Sequence, residues 1–306
     1  MGILKVNELF SGIGAQRKAL KRIGIPHEVV GISEIDTYAI KAYEAIHGKT
    51  RNYGDIRKVA KLDYADLWTY SSPCQSFSKV GKHAGLQGES GLISEVERLL
   101  RTACEAGKQP KYLLLENVPA LVGPTFKKDF DRWVEILEEL GYETQWKILN
   151  ARDFGIPQDR RRLFSVSIRK DVVCDFVLPT EDKNRGRKRV YQLMESMLDV
   201  PLSKWLTEEQ IDRLQPWKEK PYIKTLRVGG RNTYSKKHTF DVVKHGEALR
   251  HLTAKEFWRF MDFSDEDFER SRAAGLSEHQ LYKLAGNSIV VGVLAAIFKQ
   301  LLGETK

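Results

Sequence analysis

The chain has 306 residues, 42% hydrophobic and 30% charged, with a mean hydropathy of −0.42 and a net charge of +9, the balance of a soluble globular protein long enough for two domains. No apolar run reaches the roughly 18 residues of a membrane span, and the N-terminus enters a strand without a signal-peptide pattern. Three widely spaced cysteines, Cys74, Cys104 and Cys174, argue against a disulfide framework or a metal site and fit a reducing cytoplasm.

Residues 5–10 read as a strand, which Ser11-Gly12-Ile13-Gly14-Ala15 turns into a helix near 16–23, stopped at Gly24. A strand, a glycine turn and a helix N-terminus form the opening of a nucleotide-binding α/β unit. The dinucleotide fingerprint requires a third glycine where Arg17 stands, which disfavours a nicotinamide cofactor. A second strand, 27–32, ends in Ser33-Glu34-Ile35-Asp36. An acid about 20 positions beyond the turn is where such folds hold ribose hydroxyls. Glu34 is therefore assigned to the ligand, and Asp36 to the N-cap of a helix over 38–46.

Gly54-Asp55-Ile56 closes the next segment, and residues 67–70 form an apolar strand leading into Ser71-Ser72-Pro73-Cys74-Gln75-Ser76-Phe77-Ser78. Pro73 fixes its own backbone and extends Ser72, while Gly81, Gly85, Gly88 and Gly91 mark the following stretch as a loop. A cysteine ending a strand in polar, glycine-rich surroundings is placed for nucleophilic chemistry; on this stretch alone, an inert buried thiol is the equal alternative. Leu92, Val96, Leu99, Leu100 and Ala103 share a helix face, and Cys104 on that helix reads as packing. The apolar strand 111–115 ends in Glu116-Asn117-Val118-Pro119, which puts a carboxylate on the edge where α/β sheets bind ligands; in isolation, a capping or salt-bridged glutamate is the default reading. A helix through Phe130, Trp133, Val134, Leu137 and Leu140 follows, then strands at 142–149 and 163–168 with Gln158-Asp159-Arg160-Arg161-Arg162 between them. This alternation predicts a doubly wound, mostly parallel sheet.

After Pro179 the alternation stops. From Pro179 to Arg250 sixteen Lys/Arg face ten Asp/Glu, so +6 of the +9 lies in this loop-rich segment and a polyanionic partner is expected. Periodicity returns at 252–263 and in a last helix, 288–301, apolar nearly all round and expected to be buried against the first domain.

In this order the pieces resemble the DNA (cytosine-5)-methyltransferase family over nearly the whole chain. Phe10-Ser11-Gly12-Ile13-Gly14 is similar to the family's first S-adenosylmethionine motif, Glu34 with Ile35 to its ribose-binding stretch, and Asp55-Ile56 to its adenine-contacting pair. Pro73-Cys74-Gln75 with Phe77-Ser78 resembles the catalytic loop, and Glu116-Asn117-Val118 the motif of the catalytic glutamate. Gln158, Arg160 and Arg162 match a Gln-x-Arg-x-Arg element. Leu252-Thr253 with Glu256, Arg259 and Met261 resembles the penultimate motif, and Gly286-Asn287-Ser288 the last, which returns to the cofactor site. The basic segment is where the family keeps its target-recognition domain, and Thr225-Leu226 resembles a dipeptide found there. Trp68 stands where an aliphatic residue is usual, Ser71 where glycine is common, and Asp262 where glycine normally follows Met261.

The resemblance implies a Rossmann-like methyltransferase domain over 1–178 and 279–306, with a small recognition domain over 179–278. It implies methylation of carbon 5 of a cytosine in a short duplex sequence, with S-adenosylmethionine as cofactor and the target base flipped out. Cys74, Glu116, Arg160 and Arg162 become the catalytic candidates. Phe10, Ser11, Gly12, Gly14, Glu34, Ile35, Asp55, Ile56, Pro73, Asn287 and Ser288 become cofactor contacts. Gln75, Ser78, Asn117, Gln158, Thr225, Arg227, Arg231 and Asn232 become DNA contacts. A monomer acting on double-stranded DNA in a bacterial or phage-infected cytoplasm is expected, and a restriction endonuclease of the same site is a candidate partner. Two rivals are weaker: transfer-RNA methylation lacks its Cys-Phe-Thr signature, and a catalytically dead DNA-binding protein has no reason to keep Cys74, Glu116 and the arginines.

Overall fold

The structure, a computed structural model, describes residues 2–72, 92–182, 186–214, 218–226 and 241–303. Its elements are β1 (Leu4–Leu9), α1 (Ala15–Arg22), β2 (His27–Ser33), α2 (Thr37–His47), β3 (Leu67–Tyr70), α3 (Leu92–Glu105), β4 (Tyr112–Asn117), α4 (Lys127–Glu139), β5 (Tyr142–Asn150), β6 (Gln158–Asp159) and β7 (Arg161–Arg169). There follow α5 (Glu208–Leu214), β8 (Ile223–Lys224), β9 (Val242–His245), β10 (Ala248–His251), α6 (Ala254–Phe260), α7 (Asp265–Ala273), α8 (Glu278–Asn287) and α9 (Val291–Leu302).

The main sheet runs β2-β1-β3-β4-β7-β5, with β2, β1, β3 and β4 parallel and β7 antiparallel to β4. Because β1 lies between β2 and β3, the chain leaves it in opposite directions, which opens a crevice at the carboxyl ends of these strands. Beneath that edge, Val96, Leu99 and Leu100 of α3 and Phe130, Trp133 and Leu137 of α4 pack on Trp68, Tyr70, Leu113 and Leu115. Each such side chain contributes about 1.5–3 kcal/mol by leaving water. The Trp68 substitution noted in the sequence is thus a core choice, 1% exposed.

The chain divides into two compact units, one of Met1–Leu149, Arg161–Thr180 and Leu294–Lys306, the other of Asn150–Arg160 and Glu181–Val293. The division differs from the boundaries expected from sequence: residues 150–160 and 279–293 belong to the second unit. Their hydrogen bonds explain this, because Gln158 and Arg160 bond to residues 226, 260, 286 and 288.

The second unit is short on sheet. β9 and β10 form an antiparallel hairpin, β6 and β8 a two-residue parallel pair, and α6, α7 and α8 each start at a Ser or Thr capping box. The fully buried Arg250 guanidinium lies against the equally buried Glu256 carboxylate at 2.6 and 2.8 Å. Glu256 also accepts from the backbone of Thr253 and Glu195, so the penultimate motif is the internal frame of this unit.

By length and composition the stretch Glu278–Leu302 matches a membrane span, with an 18-residue window of mean hydropathy 1.7. Ser288 caps α8 and divides the stretch, and 83% of the apolar window is buried inside the protein.

Candidate active site

The first unit's site is built at the carboxyl ends of β1, β2, β3 and β4. Phe10, Gly12 and Gly14 all have positive φ, at 56°, 54° and 73°. For a bulky residue such as Phe10 that conformation is strained, and strain of this kind gathers at ligand sites. A Cβ at Gly14 would lie 2.5 Å from His47 Nε2 and 2.6 Å from Tyr43 Cε2, so only glycine lets α2 close behind the turn. In front of Gly12 there is open space. The Ser11 side chain is buried, and its hydroxyl has no hydrogen-bond partner among the described residues.

Glu34, at the end of β2, accepts from the Gly12 amide through Oε2 at 2.9 Å and from the Ile35 and Asp36 amides through Oε1 at 2.8 and 2.9 Å. Its carboxylate thereby fastens the glycine turn to β2. Ile35 beside it is 67% exposed, an apolar side chain held open at the strand edge. Asp36 caps α2 by accepting from Tyr38 and Ala39, as the sequence predicted. Asp55 accepts from the Arg57 amide and pairs with its guanidinium, which holds the Asp55 carboxyl below the usual range. Ile56 is 3% exposed and packs in the core, so its side chain anchors the turn from inside.

Behind the turn, fully buried Glu8 accepts from the Arg17 amide at 2.7 Å and from the Tyr43 hydroxyl at 2.6 Å. Burial nevertheless outweighs both bonds and pushes its pKa from 4.5 up to about 7.

At the end of β4, Glu116 lies 3.2 Å from Arg162 Nε across the antiparallel β4–β7 ladder. Both side chains are mostly buried, at 11% and 17% exposure. The neighbouring Asn117 donates through Nδ2 to the Ser72 carbonyl at 2.9 Å and accepts from the Val118 amide at 2.9 Å. Asn117 thus fixes the chain that leaves β3. The Ser72 hydroxyl is buried without a hydrogen-bond partner among the described residues. Pro73, Cys74, Gln75 and Ser78 lie outside the described residues, as do Arg227, Arg231 and Asn232. Of the cysteines described, burial pushes both the Cys104 and the Cys174 thiols up, away from thiolate chemistry.

In the second unit, Arg160 is 3% exposed and donates to the carbonyls of Leu226, Gly286 and Ser288 at 2.9, 3.1 and 2.7 Å. Gln158 has no exposure; it donates to the Phe260 carbonyl at 2.9 Å and accepts from the Leu226 amide at 3.2 Å. Thr225 donates to the Asp159 carbonyl at 2.6 Å. Among the described residues, Arg160, Gln158 and Thr225 tie segments of this unit together, and the catalytic role expected of Arg160 and the DNA contacts expected of Gln158 and Thr225 stand as proposals from the sequence. Asn287 is exposed at the end of α8, and Ser288 is buried. Asp262 has φ 68°, which is why glycine is usual there; Asp tolerates the left-handed region better than most residues.

Some site residues carry no sequence signal. Asn52 and Ser33 hold the Gly54 turn by side-chain bonds, but a single polar residue beside a turn has neither period nor motif. Glu8 reads from sequence as one position in a strand.

A family model described as C-5 cytosine-specific DNA methylase matches residues 4–303. The type II methyltransferase M2.ScrFI of Lactococcus lactis subsp. cremoris is 34% identical, covering 98% of this chain and 99% of that protein. The orphan methyltransferase M.SssI of Spiroplasma monobiae is 30% identical, covering 98% and 97%. Among solved structures, the S. pombe Dnmt2 methyltransferase superposes with a TM-score of 0.78 at 23% identity, covering 98% of each chain, which supports the fold. The chain belongs to the C-5 cytosine-specific DNA methylase family, S-adenosylmethionine-dependent enzymes that methylate carbon 5 of cytosine in DNA.

Proposed function

We propose that the enzyme methylates one cytosine within a short duplex sequence after flipping it out, through covalent addition of Cys74 to carbon 6. The observation that carries this reading is the Glu116–Arg162 pair at the mouth of β4, a carboxyl and a guanidinium side by side. The pairing edge of cytosine offers two adjacent acceptors, ring nitrogen 3 and the exocyclic oxygen. Glu116 in its protonated form donates to the first, and Arg162 donates to the second.

The strained glycine turn, the unpartnered Ser11 hydroxyl, the Glu34 carboxylate and exposed Ile35 fit an adenosyl group with a polar tail. When bound, S-adenosylmethionine supplies an electrophilic methyl group. Phe10, Ser11, Gly12 and Gly14 would shape its site, Glu34 the ribose end, and Ile35 with the Asp55-Ile56 turn the adenine end.

Carbon 5 of cytosine is a weak nucleophile, so addition of the Cys74 thiolate to carbon 6 divides one hard step into two easier ones. The sulfur–carbon bond forms as the ring double bond shifts, and Glu116 delivers a proton to nitrogen 3 so that charge does not build up on the ring. Arg162 stabilises the same charge at the oxygen. After methylation the carbon 5 proton leaves to water, the ring double bond reforms, Cys74 departs as thiolate and nitrogen 3 returns its proton to Glu116. Asn117, by holding the Ser72 carbonyl, fixes the point from which Cys74 starts. Exposed Arg187, Lys188 and Arg189 of the second unit provide salt-sensitive grip on phosphates.

Bisulfite sequencing of a plasmid, from a host without its own cytosine methylation, tests this reading. Protected cytosines in one short motif with the intact enzyme, and none with Cys74→Ala, are expected. Equal protection by both forms would overturn the covalent step, and methylation scattered without a motif would overturn the sequence specificity.

A further inference from the structure

Two of the three segments assigned to S-adenosylmethionine, the end of β2 at Glu34 and the turn before Asp55, are joined by one side chain that belongs to neither. Asn52 Oδ1 accepts from the Glu34 amide at 3.2 Å and from the Gly54 amide at 2.9 Å, while its Nδ2 donates to the Glu34 carbonyl at 3.0 Å. Two N–H donors at one end and a carbonyl at the other leave the amide only one orientation, and among side chains of this length the carboxamide supplies both functions. Glu34 in turn accepts from Gly12. A continuous hydrogen-bonded path therefore runs from the glycine turn through Glu34 and Asn52 to Gly54, next to Asp55. Ser33 reinforces it by donating to the Gly54 carbonyl at 2.7 Å, and a parallel bridge pairs Ile32 with Asn52.

We propose that Asn52 is a positioning residue for S-adenosylmethionine, setting the spacing between the Glu34 carboxylate and the turn at residues 54–56. The proposal rests on the assignment of those segments to the cofactor. Asn52 itself is exposed, so its removal leaves no cavity and no buried orphan. What it controls is preorganisation: without it, the cofactor must order the turn at residues 54–56 on arrival, and that cost appears in its affinity.

The test is calorimetric binding of S-adenosylmethionine to the full chain without DNA, for the native protein, Asn52→Ala, Ser33→Ala, their double variant and Glu34→Ala. Steady-state kinetics and thermal unfolding accompany it. Asn52→Ala is expected to weaken cofactor affinity about 5–30-fold, the worth of one or two lost hydrogen bonds. KM for the cofactor should rise in step, with kcat at saturation and KM for DNA little changed. Ser33→Ala should act in the same direction, and the double variant should lose less than the product of the two because both act on Gly54. Unchanged affinity in Asn52→Ala beside a clear loss in Glu34→Ala would overturn the proposal while leaving the cofactor site standing. No loss in either would remove the site assignment itself. A loss matched by equal falls in thermal stability and DNA affinity would assign Asn52 a merely structural role, and also overturn the proposal.

Discussion

Arg162 Nε stands 3.2 Å from Glu116 Oε1 because β7 runs antiparallel to β4, with Glu116 opposite Phe164 and Asn117 opposite Leu163. Two residues 46 positions apart in sequence thus meet at the strand end. Glu116→Gln keeps the shape of this pair but removes the acid. Methyl incorporation into DNA under single-turnover conditions should fall about 10²–10⁴-fold, the range for a lost general acid. Cofactor affinity should stay within a few fold, since the acid lies on a different strand from the glycine turn.

Arg160 makes the opposite prediction. Its guanidinium serves three buried carbonyls, so Arg160→Ala strips them of donors at once. Thermal or urea unfolding should show a loss of about 2–4 kcal/mol, since bonds to a charged donor are worth about 1.5–3 kcal/mol each and part of that is recovered by water. Arg160→Lys should recover little, because an ammonium cannot span the fork of a guanidinium.

The Arg250–Glu256 pair has no exposure on either side chain. Arg250→Met would leave the Glu256 carboxylate buried beside an apolar chain, at a cost of about 3–5 kcal/mol by denaturant unfolding. Replacing both partners with apolar residues should cost much less, because no uncompensated charge remains.

Glu8 ties stability to pH. Its carboxyl in the fold titrates at about 7 against an ordinary 4.5, so the folded chain holds a proton that the unfolded chain has released between those values. The stabilising share is complete below pH 4.5 and is lost as pH rises through 7. In Glu8→Gln the amide can still accept from Arg17 and donate to the Tyr43 oxygen, without titrating. Melting temperatures at pH 5 and pH 8 should therefore converge in the variant relative to the native enzyme.

Much of the site was legible because its pieces are local. The strand, glycine turn and helix at the N-terminus, the acid ending β2 and the acid ending β4 each declare themselves by spacing within a few residues, and the structure sets them at the ends of parallel neighbouring strands. The Asp36 cap was readable for the same reason. The bonds of Gln158 and Arg160 within the second unit were not, because a motif records which side chains recur together and not which carbonyls they meet.

The sequence by itself determined the order of the motifs, the α/β alternation and the chemical groups available, since propensity, turn chemistry and apolar period act over one or two turns of chain. Tertiary structure alone decided that Arg162 meets Glu116, that Arg160 and Gln158 bond within the second unit, and that Asn52 joins Glu34 to the Gly54 turn. Those outcomes depend on strand register and on which polar groups burial leaves to satisfy one another, and both are set by residues far apart in the chain.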